Sequence, residues 1–293
     1  MDVALSCLTG CRLTVAGGDK GAVHPCGRVH LCQPMVAVDD RGFPIELENA
    51  PARIVSLVPS LTETLVDLGA EDRIAGVTKF CIHPDHLRRE RTRIGGTKGV
   101  NVAAIMDLQP DLVIANLEEN EAQDVMALEI AGVPCWVCDV RTVERAFSLL
   151  AELGRLVGCA EAGERMEEEV CASWQATRVD FAPMRPHVAY AVWRNPWMWA
   201  GSDAYIQDVL RWWGWSPWPD ATRYPELPMD ALVAEGLEEV LLPSEPFPFK
   251  EAHRAECEGL SARLVDGEMF SWYGSRMRRV PEYLNTAFPA GRE

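Results

Sequence analysis

With 293 residues the chain can hold two lobes of ordinary size, and its 48% apolar content is that of a globular protein with no run of about 18 uncharged apolar residues to span a bilayer. A formal charge of −16 with no basic stripe to interrupt it argues against nucleic acid as a partner, because phosphate backbones would be repelled. Ten cysteines at irregular positions do not form a small-domain disulfide framework and fit a reducing compartment.

Residues 1–34 carry Cys7, Cys11, Cys26, Cys32, His24 and His30 without zinc-like spacing, and are expected to be a disordered or mis-annotated extension, with Met35 the natural start. Leu8-Thr9-Gly10-Cys11 superficially matches a lipid-attachment pattern. Asp2 and Arg12, however, break the basic and apolar stretches that a secretory leader needs, so the chain as written is expected in the cytoplasm.

RIVSLVPS (53–60) reads as an apolar strand, and Ser60-Leu-Thr-Glu63 as a capping box opening the helix LTETLVDLGA. Strands follow at 74–78, 111–116 and 133–140, alternating with the helical stretches VAAIMDL and EAQDVMALEIAG, which predicts a parallel sheet covered by helices. From Thr142 to about Asp180 the sequence is helix-compatible, with a break near Gly158. After Phe181 the alternation resumes, with strands at 187–192, 238–243 and 262–267 separated by YIQDVLRWW, for which Asp203 is the expected N-cap, and by PMDALVAEG. The predicted fold class is α/β: two Rossmann-like lobes with mainly parallel sheets, over 35–158 and 182–293, joined by a long backbone helix over 159–181.

Two cysteine motifs invite a metal. Cys135-Trp-Val-Cys138 lies in a buried strand where residues three apart face opposite ways, which disfavours zinc or redox chemistry. Cys81-Ile-His83-Pro-Asp-His86 brings a thiol and two imidazoles within six residues, yet two exposed loop histidines are the commoner meaning of such a run.

Seven of the ten tryptophans fall between Trp193 and Trp218. Trp212, Trp213 and Trp215 follow a helical apolar period and read as packing. Trp193, Trp197 and Trp199 flank Asn195-Pro196 at a strand end, where α/β proteins place ligands, so a functional role and a packing role are both open there.

RIVSLVPSLTETL, then RIGGTK, LQPDLVIAN, the long helix and DGEMFSWYG together resemble the periplasmic binding proteins with a helical backbone, in particular the receptors for vitamin B12, ferric siderophores and metal chelates. The resemblance covers about residues 36–290. It implies a non-catalytic, monomeric protein with no intrinsic cofactor, holding a corrinoid, haem or ferric chelate between its lobes and handing it to an ABC permease.

The loops leaving the strands' C-terminal ends should line that cleft. Trp193, Trp197, Trp272 and Tyr273 are expected to stack on or enclose the ligand, with Ser60 at the first turn and Phe80 and Phe247 as apolar walls. Lys98 and Arg194 would meet acidic substituents, while Glu118, Glu119, Glu245 or Asp203 would accept hydrogen bonds from amide arms. Two departures from the B12 receptors stand out. Lys98 replaces an aromatic ring in GGTK, and Ala103 occupies a position where the family carries a permease-docking acid, leaving Asp230 to supply the other. Two alternatives remain open: a cytoplasmic metal-chelate carrier or sensor, and a metal-dependent enzyme using Glu118, Glu119 and His83. A bare-ion receptor built on Cys81, His83, His86 and Glu118 is a third.

Overall fold

Short runs of apolar residues, buried on both faces, form the centre of each lobe in the computed structural model, which describes residues 35–177, 186–257 and 259–289. The extension expected over residues 1–34 lies outside the described residues. The first lobe opens with an antiparallel hairpin, β1 (Met35–Val38) and β2 (Pro44–Leu47). Its main sheet contains β3 (Ile54–Ser56), β4 (Ile74–Val77), β5 (Thr92–Arg93), β6 (Leu112–Asn116) and β7 (Cys135–Cys138). All five strands are parallel, in the order β5-β4-β3-β6-β7. Helices α1 (Pro59–Asp67), α2 (Leu87–Glu90), α3 (Val102–Asp107) and α4 (Ala122–Ile130) make the crossovers.

Two helices lead out of this lobe, α5 (Val143–Leu156) and α6 (Ala160–Gln175). The break expected near Gly158 is a reversal: Gly158 takes a positive φ of 72°, which glycine adopts without steric cost, and the two helices pack along one another. Gly154 and Gly163 permit the close approach, since a Cβ on Gly163 would lie 2.7 Å from the Leu150 carbonyl oxygen. The backbone helix expected over 159–181 is therefore α6, about 24 Å long at 1.5 Å per residue; residues 178–185 lie outside the described residues.

In the second lobe β8 (His187–Trp193), β10 (Ser216–Trp218), β11 (Glu239–Pro243) and β12 (Ser261–Val265) form a parallel sheet in the order β10-β8-β11-β12, and β9 (Met198–Trp199) pairs antiparallel with β8. Helices α7 (Tyr205–Trp212), α8 (Met229–Ala234), α9 (Glu251–Arg254), α10 (Glu268–Ser271) and α11 (Val280–Ala287) surround it, with a 3-10 turn at Ser275–Arg279 before α11.

One apolar core runs through both lobes, from Leu61 and Leu65 of α1 through Leu149, Leu153 and Trp174 to Tyr190, Phe270 and Met277. Trp174 anchors the second lobe to α6: its indole N–H donates to the Met277 carbonyl at 2.8 Å, and its ring meets Phe147, Trp212 and Trp213 edge-on. Trp213 and Trp215 are buried, as their helical spacing predicts. In β7, Cys138 faces this shared core while Cys135 faces the outer core of the first lobe, so the CxxC thiols point to opposite sides of the sheet.

Two expected helix caps do not form. Pro59 occupies the first turn of α1 and moves its N-cap to Val58, while Glu63 is taken by Arg276 across the lobes, so no capping box closes. The N-cap of α7 is Ala204, because the Asp203 carboxylate receives Arg141 Nη1 at 3.0 Å and the Arg223 amide instead.

Candidate functional site

The loops after β4, β6, β7, β8, β11 and β12 come from the C-terminal strand ends of the two sheets and meet at the junction of the lobes. Several side-chain pairs cross it. The Tyr273 hydroxyl donates to Glu119 Oε1 at 3.3 Å, and the Tyr224 hydroxyl faces the Glu118 carboxylate. His83 Nε2 sits 3.1 Å from both Glu268 carboxylate oxygens, Arg141 pairs with Asp203, and Arg276 pairs with Glu63.

The Glu118–Glu119 turn is fixed by two buried asparagines. Asn116, the last residue of β6, accepts the Glu118 and Glu119 amides on its Oδ1 at 2.8 and 3.0 Å. Asn120 Oδ1 accepts the Asn116 amide at 2.8 Å, and its Nδ2 donates to the Thr97 carbonyl at 2.8 Å and the Leu57 carbonyl at 3.3 Å. This ties the turn to β3 and to the loop 95–100, which carries Lys98 exposed near its tip.

The floor is acidic and is satisfied by hydroxyls rather than cations. Burial, with Glu118 and Glu245 nearby, pushes the Glu119 carboxyl up to about 7; the Tyr273 hydrogen bond and Lys98 offset only part of that. Glu245 is also raised, chiefly by burial, although Ser271 Oγ donates to its Oε1 at 2.9 Å. Burial and the facing carboxylates hold Tyr224 and Tyr273 well above the usual phenol range, so both remain hydroxyl donors. The guanidinium groups nearby are occupied: Arg194 pairs with Glu256 at 2.6 Å and Arg141 with Asp139 and Asp203.

Aromatic and apolar groups form the exposed walls. Phe80 is 50% exposed beneath the Lys79 ammonium, whose Nζ lies 4.9 Å from the ring centroid, and Leu117 is 42% exposed beside Glu118. On the second lobe Trp193 is 44% exposed and meets Phe247 edge-on at 5.5 Å.

The twelve sequence-predicted residues therefore divide. Glu118, Glu119, Tyr273, Glu245 and Lys98 share one electrostatic environment on the floor, and Phe80, Trp193 and Phe247 present rings at its sides. Four are engaged by other groups of the chain. Trp197 stacks on Trp199 and Phe249 at 5.5 and 5.6 Å and supports the wall from behind. Trp272 is buried under the Arg276 guanidinium and against His83, Ser60 is buried at the start of α1, and Arg194 is neutralised by Glu256. Asp203, too, is held by arginines.

The bare-ion set is dispersed. Cys81 is buried against Thr62 and Thr78, His83 binds Glu268, and His86 binds Glu71 at 2.6 Å. Among the described residues no group of three or more His, Cys, Asp or Glu is placed to hold a metal ion. The proposed enzymatic trio is likewise divided, with Glu119 hydrogen-bonded to Tyr273, Glu118 facing Tyr224 and His83 paired with Glu268.

Sequence reasoning missed Tyr224, Glu268, Arg276 and Phe249. Tyr224 sits in an aperiodic Pro-rich loop, and Arg276 in SRMRR looks like a solvated basic run; their partners lie more than 100 residues away for Tyr224 and 213 residues away for Arg276. Beside the His83–Glu268 bridge a cavity of about 680 Å³ opens between Ile82, Leu264, Asp266 and Arg279. None of the twelve predicted residues lines it.

A family model described as "Periplasmic binding protein" matches residues 54–238, more than half of the chain. A vitamin B12-binding protein of Vibrio campbellii is 29% identical over 131 residues, 44% of this chain and 47% of that protein. A cobalamin-binding protein of Halobacterium salinarum is 32% identical over 164 residues, 54% of this chain and 44% of that protein. The chain thus spans about half the length of the curated relatives it matches. Among solved structures, the periplasmic heme-binding protein RhuT from Roseiflexus superposes with a TM-score of 0.67 at 19% identity, covering 80% of this chain and 97% of that one. The periplasmic vitamin B12 binding protein BtuF of Vibrio cholerae does so with a TM-score of 0.67 at 17% identity, covering 82% and 99%. At these identities the structures establish the fold, two α/β lobes with parallel sheets, and with the match over 54–238 they lead to one conclusion: the chain belongs to the periplasmic binding protein family.

Proposed function

We propose that the chain is a non-catalytic binding protein that holds a metal chelate between its lobes, and that among corrinoid, haem and ferric siderophore the corrinoid fits best. The observation that carries this reading is the pairing of rings at the sides, exposed Phe80 and Trp193 with half-buried Phe247, with a floor of carboxylates met mainly by hydroxyls. Flat apolar faces bind a macrocycle by area. Glu118, Glu119 and Glu245 have acceptor capacity for the amide N–H groups on a corrin's periphery, whereas the carboxylates of haem or of an anionic siderophore would be repelled there. Lys98 is the one cation among the predicted floor residues, and it offsets only part of the upward push on Glu119. The names of the B12- and cobalamin-binding relatives support the same choice.

Delivery to an ABC permease is part of the reading by family likeness. Asp230 is exposed in the first turn of α8, and Ala103 is exposed in the first turn of α3. A permease would thus meet one acidic and one neutral docking point, which lowers the expected association rate relative to a receptor with two acids.

The test is a calorimetric titration of the full chain with cyanocobalamin, haemin and a set of ferric siderophores. Saturable cyanocobalamin binding at micromolar affinity or better, at least tenfold tighter than haemin, is the expected result. Tighter binding of haemin or of an anionic siderophore would overturn the corrinoid choice, and no binding by any of them would overturn the chelate reading.

A further inference from the structure

Glu119 is the residue on the floor where both lobes converge. Its carboxyl is set by its own turn through Asn116 and is met by Tyr273 from the opposite lobe. The charged and titratable groups facing it come from every neighbouring element. Glu118 is adjacent on the same turn, Glu245 follows β11, Lys98 sits on the loop 95–100, and the buried thiols of Cys81 and Cys138 lie at the ends of the loop after β4 and of β7. Tyr224 approaches through Glu118, and the arginines beyond, Arg223 and Arg141, are turned toward Asp203. Among the described residues no guanidinium pairs with Glu119, although two other carboxylates do crowd it.

Such a group has two competing states. Ionised, it gains a stronger hydrogen bond from Tyr273 but is repelled by Glu118 and Glu245 in a desolvated setting; protonated, it relieves the repulsion. A ligand that lays N–H donors on this floor supplies the missing favourable partner for the ionised form, whereas a carboxylate-bearing ligand would do the opposite.

We propose that ligand capture is proton-coupled through Glu119: as a donor-bearing chelate settles on the floor, one proton leaves the Glu119 carboxyl for solvent, and one returns when the ligand departs. This rests on the chelate-binding reading above. Acidification therefore weakens binding and favours release, and the interlobe contact between Glu119 and Tyr273 is where the proton and the ligand compete. The coupling operates around neutrality because burial has already brought this carboxyl to about 7 in the empty cleft.

Two measurements on the full chain test it. Calorimetric titration of cyanocobalamin from pH 5.5 to 8.5, in buffer pairs of different ionisation heat, should show release of up to one proton. The dissociation constant should rise by up to about tenfold per pH unit below 7. Both effects should vanish in Glu119→Gln. Saturable binding that is flat across this range, or an unchanged pH slope in Glu119→Gln, would overturn the coupling while leaving the binding function intact. Carboxyl-carbon NMR of the ligand-free, glutamate-labelled chain should show one resonance titrating near 7 that Glu119→Gln removes. Its absence would overturn the proposal whatever binds. Failure of cyanocobalamin to bind at any pH, with that resonance present, would remove the corrinoid choice, and the coupling with it.

Discussion

Arg276 of the second lobe and Glu63 of the first form a two-point ion pair across the lobe junction, with Nε to Oε2 and Nη2 to Oε1 both at 2.8 Å. Their side chains are 3% and 10% exposed. The same guanidinium donates to Glu268, which also holds His83, so one buried arginine ties α1, α10 and the loop after β4 together. Directly beside it the Ser275 amide donates to Thr64 Oγ1 at 3.0 Å, and Gly274 takes a φ of 104° with no room for a Cβ against the Thr64 hydroxyl. Removing one partner of a buried pair leaves the other charge uncompensated.

Glu63→Gln and Arg276→Met should each lower the unfolding free energy by about 3–5 kcal/mol. Denaturant melts of the two variants check this. The double variant should lose less than the sum of the two, because the uncompensated charge is then gone; additive losses would show that the pair is not coupled.

The two neighbouring tryptophans Trp193 and Trp197 should separate cleanly. Trp193→Ala removes an exposed ring and should weaken chelate binding by about 1–3 kcal/mol with little change in stability. Trp197→Ala removes a ring stacked on Trp199 and Phe249 and should cost about 3 kcal/mol of stability, affecting binding only through the wall it supports. Melts and titrations run side by side on both variants decide it. The reverse pattern would place the ligand against the other ring.

Glu119 also links stability to pH. Unfolding returns its carboxyl to an ordinary value of 4.5, so between there and about 7 the folded chain holds a proton that the unfolded chain releases. The stability from this group is fully present below about 4.5 and is lost as the pH rises through about 7, a loss on the order of 3 kcal/mol. Wild type and Glu119→Gln should therefore diverge in unfolding free energy across that window, with the variant gaining relative stability toward pH 8. Parallel pH profiles for the two would contradict the raised carboxyl.

Much of this architecture is legible in the sequence because it is local. The apolar runs of β3, β6 and β11 and the helical periods between them predict the alternation, and a strand-end rule places Glu118, Glu119, Trp193 and Glu245 at the cleft. What is not legible depends on partners far along the chain. Ser60-Leu-Thr-Glu63 looks like a capping box until Arg276, 213 residues away, claims Glu63. Arg194 looks available until Glu256 neutralises it, and Asp203 reads as a helix cap until Arg141 and the Arg223 amide reach it. Trp193 and Trp197 are chemically identical in the sequence, and only tertiary packing makes one a wall and the other its support.

A crystal structure of the full chain with cyanocobalamin would show which residues hold the ligand. The corrin is expected between the lobes, its faces against Phe80, Trp193 and Phe247, with amide arms hydrogen-bonded to Glu118, Glu119 or Glu245. Corrinoid density in the cavity beside Arg279, or a structure showing those three carboxylates untouched, would contradict it.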